Sequence, residues 1–321
     1  MVKPVVLMAV LLGRRGRVRR HNGRSMHIIV LGAGAIGSTY GAKLSQFHDV
    51  TLIGGASHVE AIQRDGLTMQ GHTTGVLRLP AFTTVPSIAP GTLILLTAKV
   101  NNNAAAVAPI VSMLPAGVTI VCVQNGLYSE NIVKDLVGDR ALVLRAITQV
   151  GGVLVRPGVV DNTVVGYTLL ESHPQSARIA EILTEAGLDG RIIPDITKEG
   201  WRKAIFNCVI NPTTALIGSE VGAIVDPQLN SLKQQIIDEC LAVAAADGVT
   251  FDEDFVALID RVFAGARTIA SMRQDLMKGR KTEIDHMNGA VADLGRTYGI
   301  PCPVNQAMTT MIRYLEAKGT T

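Results

Sequence analysis

The stretch His27-Ile28-Ile29-Val30-Leu31-Gly32-Ala33-Gly34-Ala35-Ile36-Gly37 decides the fold. Its first five residues, rich in Ile and Val, read as a short buried strand, and the glycines follow at once. Ser38–Gln46 then reads as a helix and Val50–Ile53 as a second apolar run. Strand, glycine turn, helix and strand in this order make a βαβ unit. In Gly32-x-Gly34-x-x-Gly37 the first glycine permits the tight turn. The second lets backbone approach a pyrophosphate, and the third lets helix and strand pack closely. A helix that starts there turns free N–H groups and a partial positive charge toward phosphates. Gly32, Ala33, Gly34, Ala35, Ile36 and Gly37 are therefore predicted to hold a dinucleotide. A glycine turn with only structural duties is the bland alternative.

Outward from this unit, Leu93–Leu96 is a strongly buried strand ending at Thr97-Ala98-Lys99. Asn103–Met113 reads as helical, and Val118–Val123 as another buried strand ending at Gln124-Asn125-Gly126. Continuous apolar strands alternating with helices imply a parallel sheet covered on both faces. Ala141–Ile147, Gly152–Arg156 and Val164–Leu169 read as further strands, with a turn at Pro157-Gly158. From about Pro194 strand signals vanish. Trp201–Ile210, Leu229–Asp247, Phe255–Ile269 and Glu283–Tyr298 carry helical periodicity. The expected fold class is α/β: an N-terminal Rossmann-type, doubly wound parallel sheet over 26–193 and an all-helical C-terminal domain over 194–321.

Composition narrows the classes. The 321 residues suffice for two domains, and 47% of them are hydrophobic while only 4% are aromatic, which suits α/β better than an all-β sandwich. The net charge of +3 belongs to the N-terminus, where Lys3, Arg14, Arg15, Arg17, Arg19, Arg20 and Arg24 face no acid. Without those seven the balance is 23 basic to 27 acidic residues, so the body carries no nucleic-acid footprint. Pro4–Leu12 is apolar and precedes the arginines, the reverse of a secretory signal, and it is too short to span a bilayer. The preferred reading makes Met26 the start and 1–25 an upstream or disordered extension, and a transit peptide or basic arm is the other reading. Cys122, Cys208, Cys240 and Cys302 lack metal or CxxC spacing, and the seven histidines form no zinc-spaced pair. A cytoplasmic protein with reduced thiols, no metal and no membrane association is expected.

The second informative segment is Trp201-Arg202-Lys203-Ala204-Ile205-Phe206-Asn207-Cys208-Val209-Ile210-Asn211-Pro212. Lys203, Asn207 and Asn211 stand at i, i+4 and i+8 on one helix face among apolar neighbours. Asparagine is a poor helix former, so two on one stripe need a reason. Ketone reduction supplies one. Hydride arriving at a carbonyl carbon makes an alkoxide that a lysine can protonate, while the amides bind substrate oxygens without adding charge. A snorkelling lysine with capping asparagines remains the alternative. Further on, Glu283 and Asp285 begin an amphipathic helix where the dipole favours acids. A carboxylate there can also hold Lys203 charged, and Ser271 can hold a substrate carboxylate. Lys99 and Asn125 end two predicted parallel strands, the edge where ligands sit in open α/β sheets. A solvent lysine and an Asn-Gly turn are their plain readings.

These segments together resemble the ketopantoate reductase family, from about Met26 to beyond residue 300. The resemblance rests on Gly-Ala-Gly-Ala-Ile-Gly at 32–37, Thr97-Ala98-Lys99, Gln124-Asn125-Gly126, Trp-Arg-Lys…Asn-Cys-Val-Ile-Asn-Pro at 201–212, Ser271-Met272-x-Gln-Asp275 and Thr282-Glu283-Ile284-Asp285…Asn288-Gly289. It implies reduction of 2-dehydropantoate to (R)-pantoate with NADPH, in pantothenate biosynthesis, and admits a homodimer. Lys203 would be the proton donor, and Asn207, Asn211, Ser271 and Asn125 would bind substrate. Lys99 and Asn125 would line the cofactor side, and Glu283 would hydrogen-bond cofactor or lysine. Three departures stand out. Gly54-Gly55 replaces the arginine context that grips the 2′-phosphate, leaving Ser57, His58 or Arg64 as contacts. Asn101-Asn102-Asn103 follows the strand-end lysine, and Thr268 stands where an asparagine is usual. The rival readings are a reductase of another small 2-oxo acid, an NAD(P)-dependent 3-hydroxyacid dehydrogenase, and a non-catalytic nucleotide sensor.

Overall fold

The computed structural model describes residues 25–319. Apart from Ser25, the extension expected over 1–25 lies outside them. Among the described residues two compact units emerge, 25–124 with 128–196, and 125–127 with 197–319. The short segment Asn125–Leu127 thus groups with the second unit, which a single cut at 193/194 does not anticipate.

The first unit is built on twelve strands: β1 (His27–Leu31), β2 (Asp49–Ile53), β3 (Leu67–Gly71), β4 (Gly75–Leu77), β5 (Ala81–Phe82), β6 (Leu93–Leu96), β7 (Thr119–Val123), β8 (Leu142–Thr148), β9 (Gly151–Arg156), β10 (Val159–Val164), β11 (Thr168–Glu171) and β12 (Gly190–Ile193). Its helices are α1 (Ala35–Leu44), α2 (Ala56–Asp65), α3 (Asn103–Val107), α4 (Ser129–Val137) and α5 (Ser176–Glu185). Eight strands form one sheet in the order β12-β11-β8-β7-β6-β1-β2-β5.

Pairing in the centre is parallel, and the register places Val30 beside Leu52 and Leu95, Leu95 beside Val121, and Val121 beside Leu144. That row enters one apolar core, while Ile29, Leu31, Ile94, Leu96 and Ile120 enter the core on the other face. Alternate side chains point to opposite faces, so a strand buried on both sides must be apolar throughout. Each such Leu or Ile contributes roughly 1.5–3 kcal/mol by burial. Tyr40, Leu44 and Ile62 close the first face from α1 and α2, and Val107, Val133 and Val137 close the second from α3 and α4.

Four sequence expectations change here. β11 pairs antiparallel with β8, because the chain reaches it through the β9–β10 hairpin and not through a crossover helix. Four strands form a second sheet, β4-β3-β10-β9, which the apolar pattern did not separate from the first. The strand expected over Val164–Leu169 straddles the end of β10 and the start of β11. The helix expected over Asn103–Met113 is α3 followed by a 3-10 turn at Ala108–Met113, where Pro109 removes an amide.

In the second unit α6 (Ile196–Leu216), α7 (Asn230–Ala246), α8 (Phe255–Phe263), α9 (Ser271–Met277), α10 (Asn288–Tyr298) and α11 (Pro303–Lys318) follow, and none of its described residues is in a strand. Trp201 is fully buried, and its Nε1 donates to Asp247, which also accepts from the Tyr298 hydroxyl. α8 stops at Phe263, short of the expected Ile269, because Gly265 (φ +72) turns the chain out of the helix. No helix among the described residues is long and apolar enough to cross a membrane.

Candidate active site

The glycine turn is fixed by contacts that leave no room for a side chain. The amides of Gly32 and Ala33 both donate to Ile53 O, and those of Thr97 and Ala98 to Leu31 O. Thr97 Oγ1 donates to Gly32 O at 2.9 Å. Gly32 has φ +112, and a Cβ there would lie 2.2 Å from Ala98 N. A Cβ on Gly37 would lie 2.3 Å from Gly32 O. Around a Cβ on Gly34, by contrast, nothing lies within 4 Å. Gly34 caps α1 without a side-chain bond, and no acid occupies the first turn. Free helix amides beside an open glycine fit a pyrophosphate. Gly32–Gly37 is thus a cradle suited to the dinucleotide the sequence implied.

The residues expected at the adenosine end behave differently from one another. His58 is buried, and Gly158 N–H donates to its Nδ1 at 2.9 Å. Its proton therefore sits on Nε2, 3.0 Å from Ser38 Oγ. Burial holds this imidazole below its ordinary value. It is a neutral tie between α1, α2 and the 157–158 turn, not a phosphate ligand. Arg64 lies in the last turn of α2 and pairs with Asp65. Ser57 is exposed at the start of α2, beside Gly55, whose Cβ position is open, while Arg64, also exposed, lies at the other end of that helix.

Where β6 and β7 end, Gln124 and Asn103 are both buried and exchange amide hydrogen bonds. Gln124 Nε2 also donates to Ala98 O, and Asn103 Nδ2 to Ser129 O. This amide pair fixes the loop carrying half-buried Lys99. Sequence reasoning took Asn101-Asn102-Asn103 as one departure and missed that Asn103 is the structural member.

The second unit assembles most of the polar residues singled out. On α6, Lys203 and Asn207 are half-buried and Asn211 is buried. Asn211 Oδ1 accepts from Ser271 Oγ at 3.3 Å, and Asn211 Nδ2 points at Met287 Sδ. Asn125 Nδ2 donates to Glu283 Oε2 at 3.3 Å, and Glu283 is 8% exposed. Asn125 and Glu283 thus meet, and Ser271 and Asn211 meet. Glu283 does not open a long helix, as its sequence position suggested. It precedes a 3-10 turn at Ile284–His286, and α10 starts at Asn288. Thr282 anchors that turn, its N–H and Oγ1 both donating to Glu316 on α11. Asp285 is set apart from Glu283. Burial opposes its ionisation, yet hydrogen bonds from Arg313 and Lys281 hold its carboxyl below the ordinary value.

Pro212 inside α6 explains a further residue. Its ring nitrogen cannot bond the carbonyl four residues back, that of Cys208. Asn288 Nδ2 takes that carbonyl at 3.0 Å and also donates to Asn305 Oδ1, while Asn305 Nδ2 donates to Glu239. The ladder pins α10, α11 and α7 to the helix that carries Lys203. Nothing in the sequence marks Asn305 or Glu239 for this duty.

The four cysteines are buried. Hydrogen bonding of the Cys240 thiol with Cys208, together with burial, holds that thiol well above its ordinary value, and burial pushes Cys122 up to about 12. Such thiols are poor nucleophiles. Among the described residues no group of three or more His, Cys, Asp or Glu is placed to hold a metal ion.

Residues 28–175 match the family described as Ketopantoate reductase PanE/ApbA, and residues 195–316 match its C-terminal counterpart. The chain belongs to the ketopantoate reductase family. A 2-dehydropantoate 2-reductase of Pyrococcus horikoshii is 32% identical over 302 residues, 92% of this chain and 99% of the relative. One of Archaeoglobus fulgidus is 30% identical over the same shares. Among solved structures, a PanE/ApbA family ketopantoate reductase from Ralstonia eutropha JMP134 superposes with a TM-score of 0.86 at 29% identity, covering 92% of this chain and 99% of the other. A D-mandelate dehydrogenase with NADH and anilino(oxo)acetate gives 0.84 at 26% identity, covering 91% and 99%. As a ketopantoate reductase family member the chain is an oxidoreductase acting on CH–OH groups.

Proposed function

We propose that this chain reduces 2-dehydropantoate to (R)-pantoate with NADPH, using Lys203 as proton donor. The observation that carries the reading is the polar set of the second unit. Lys203, Asn207 and Asn211 share a face of α6, Ser271 is bonded to Asn211, and Glu283 is bonded to Asn125. The names of the relatives supply the substrate.

When bound, the nicotinamide supplies the hydride. Gly32–Gly37 holds the pyrophosphate of the dinucleotide through the amides at the start of α1. Lys99 and Asn125 line the cofactor side. Lys203 gives its proton to the carbonyl oxygen as negative charge develops there. Asn207, Asn211 and Ser271 bind the substrate's carboxylate and hydroxyl oxygens, the amides doing so without adding charge. Glu283 is a carboxylate held at fixed orientation, which keeps the Lys203 ammonium charged between turnovers.

A second reading has its own support. No arginine follows β2 at Gly54-Gly55, and the D-mandelate dehydrogenase neighbour carries NADH with a 2-oxo acid amide analogue, anilino(oxo)acetate. On that reading the substrate is a different 2-oxo acid and NADH serves. Oxidation of NADPH and NADH, each with 2-dehydropantoate, other branched 2-oxo acids and an aromatic 2-oxo acid, separates the two. The first reading expects the highest kcat/KM for 2-dehydropantoate with NADPH. A preference for NADH and an aromatic 2-oxo acid replaces it with the second.

A further inference from the structure

A cleft of about 590 Å3 opens within the second unit between the turn at 218–223 and the segment 265–273. Its walls are tied by backbone. Val221 N–H donates to Thr268 O and Gly222 N–H to Ala266 O, each at 2.8 Å. A Cβ on Gly222 would lie 2.6 Å from Ala266 O, so glycine is what lets the two segments come this close. The volume falls within the roughly 300–1,000 Å3 of small-molecule sites.

Small glycine and alanine residues make up much of the lining, and four polar side chains join them. Ser219, Glu220, Arg267 and Arg273 stand around Ile269. Of the other arginines of this unit, Arg202 pairs with Glu199 and Glu253, Arg296 with Asp293, and Arg313 with Asp285, whereas Arg261 and Arg280, which do not line the cleft, are in no ion pair among the described residues. Arg267 and Arg273 form no ion pair among the described residues, and neither does Glu220. Two unpaired guanidinium groups on one cleft present donor forks that match phosphate or carboxylate bidentately. Neither Lys203, Asn207, Asn211 nor Ser271 lines it.

We propose that this cleft is a separate binding site for a small anionic metabolite. Its phosphate or carboxylate groups seat on Arg267 and Arg273, and a hydroxyl or ammonium group turns toward Glu220. The site stands on its own lining and does not depend on the reduction assigned above.

Calorimetric titration of the full chain at low ionic strength tests it, with inorganic phosphate and citrate as probes. Saturable binding of one probe per chain is expected, and the preferred probe tells a phosphate ester from a polycarboxylate. The Arg267→Ser/Arg273→Ser variant should bind at least about tenfold more weakly, since each charge-assisted bond contributes on the order of a factor of ten. Glu220→Gln should bind inorganic phosphate more tightly, because that probe carries no ammonium group to offset the carboxylate's repulsion. Lys203→Ala should bind as the parent does. Absence of binding by both probes overturns the proposal, as does undiminished binding by the double-arginine variant. Competitive displacement by 2-dehydropantoate also overturns it, because the cleft would then belong to the substrate's own site. A chain that binds the probes yet reduces no 2-oxo acid would keep the cleft and reject the catalytic reading.

Discussion

The glycine turn of the first unit and the polar stripe of the second are held by opposite means. Gly32 and Gly37 are fixed by what is absent, since a Cβ at either would run into backbone 2.2 or 2.3 Å away. Asn211, Ser271, Asn125 and Glu283 are fixed by what is present, hydrogen bonds of 3.3 Å between segments far apart in the chain. Turns of the first kind tolerate no side chain but need no partner. Sites of the second kind survive an isosteric change and fail when a supporting segment moves. The difference also separates stability from chemistry, because a crowded glycine fails by misfolding and a truncated polar group by losing turnover.

The sharpest break of that contrast is Gly32→Ala. Strain at φ +112 and the overlap with Ala98 should together cost about 3–4 kcal/mol of stability, read as a fall in the denaturant midpoint. An alanine variant as stable as the parent would remove the steric account of the turn. On the other side, Lys203→Ala should lower kcat by at least about 10²-fold with nicotinamide cofactor binding retained. Near-normal turnover would leave the second unit without its proton donor. Gly34→Ala sharpens the comparison inside the turn itself. Its Cβ meets open space, so stability should stay within about 0.5 kcal/mol while cofactor affinity drops about tenfold. Equal losses at Gly32 and Gly34 would show that the two glycines do not divide the duties.

The smallest effect concerns pH. Burial holds His58 below its ordinary value of 6.5, so the folded chain binds fewer protons than the unfolded one between the folded value and 6.5. The stability this neutral ring contributes is complete above 6.5 and is lost as pH falls through that window. Melting temperatures recorded from pH 7.5 down to 5 should decline, and decline less in His58→Gln. A flat profile in the parent would mean that the fold accommodates the charged ring as readily as the unfolded chain does, which would remove the account of a buried neutral tie.

Legibility followed the range of the interaction that each residue serves. The βαβ unit could be read because Ile28–Leu31, the glycines and Val50–Ile53 signal through local periodicity. The i, i+4, i+8 stripe of Lys203, Asn207 and Asn211 could be read because helix geometry alone puts those residues on one face. The sequence offers His58 beside Ser57 and Arg64 as a candidate 2′-phosphate contact, because only the fold brings Gly158 and Ser38 to its two nitrogens. The helix expected to begin at Glu283 begins instead at Asn288, after a 3-10 turn that Glu316 anchors through the N–H and hydroxyl of Thr282.

The amino-acid order by itself determined the buried parallel strands, the glycine cradle and the lysine–asparagine face, since each depends on neighbours within one or two turns. Tertiary structure alone decided that Asn288 would answer the carbonyl orphaned by Pro212, that Asn125 would meet Glu283 across 158 positions, and that Arg267 and Arg273 would share a cleft. The physical reason is that a hydrogen bond or a shared cleft between distant segments leaves no periodic mark in either of them, and exists only once packing has brought both to the same place.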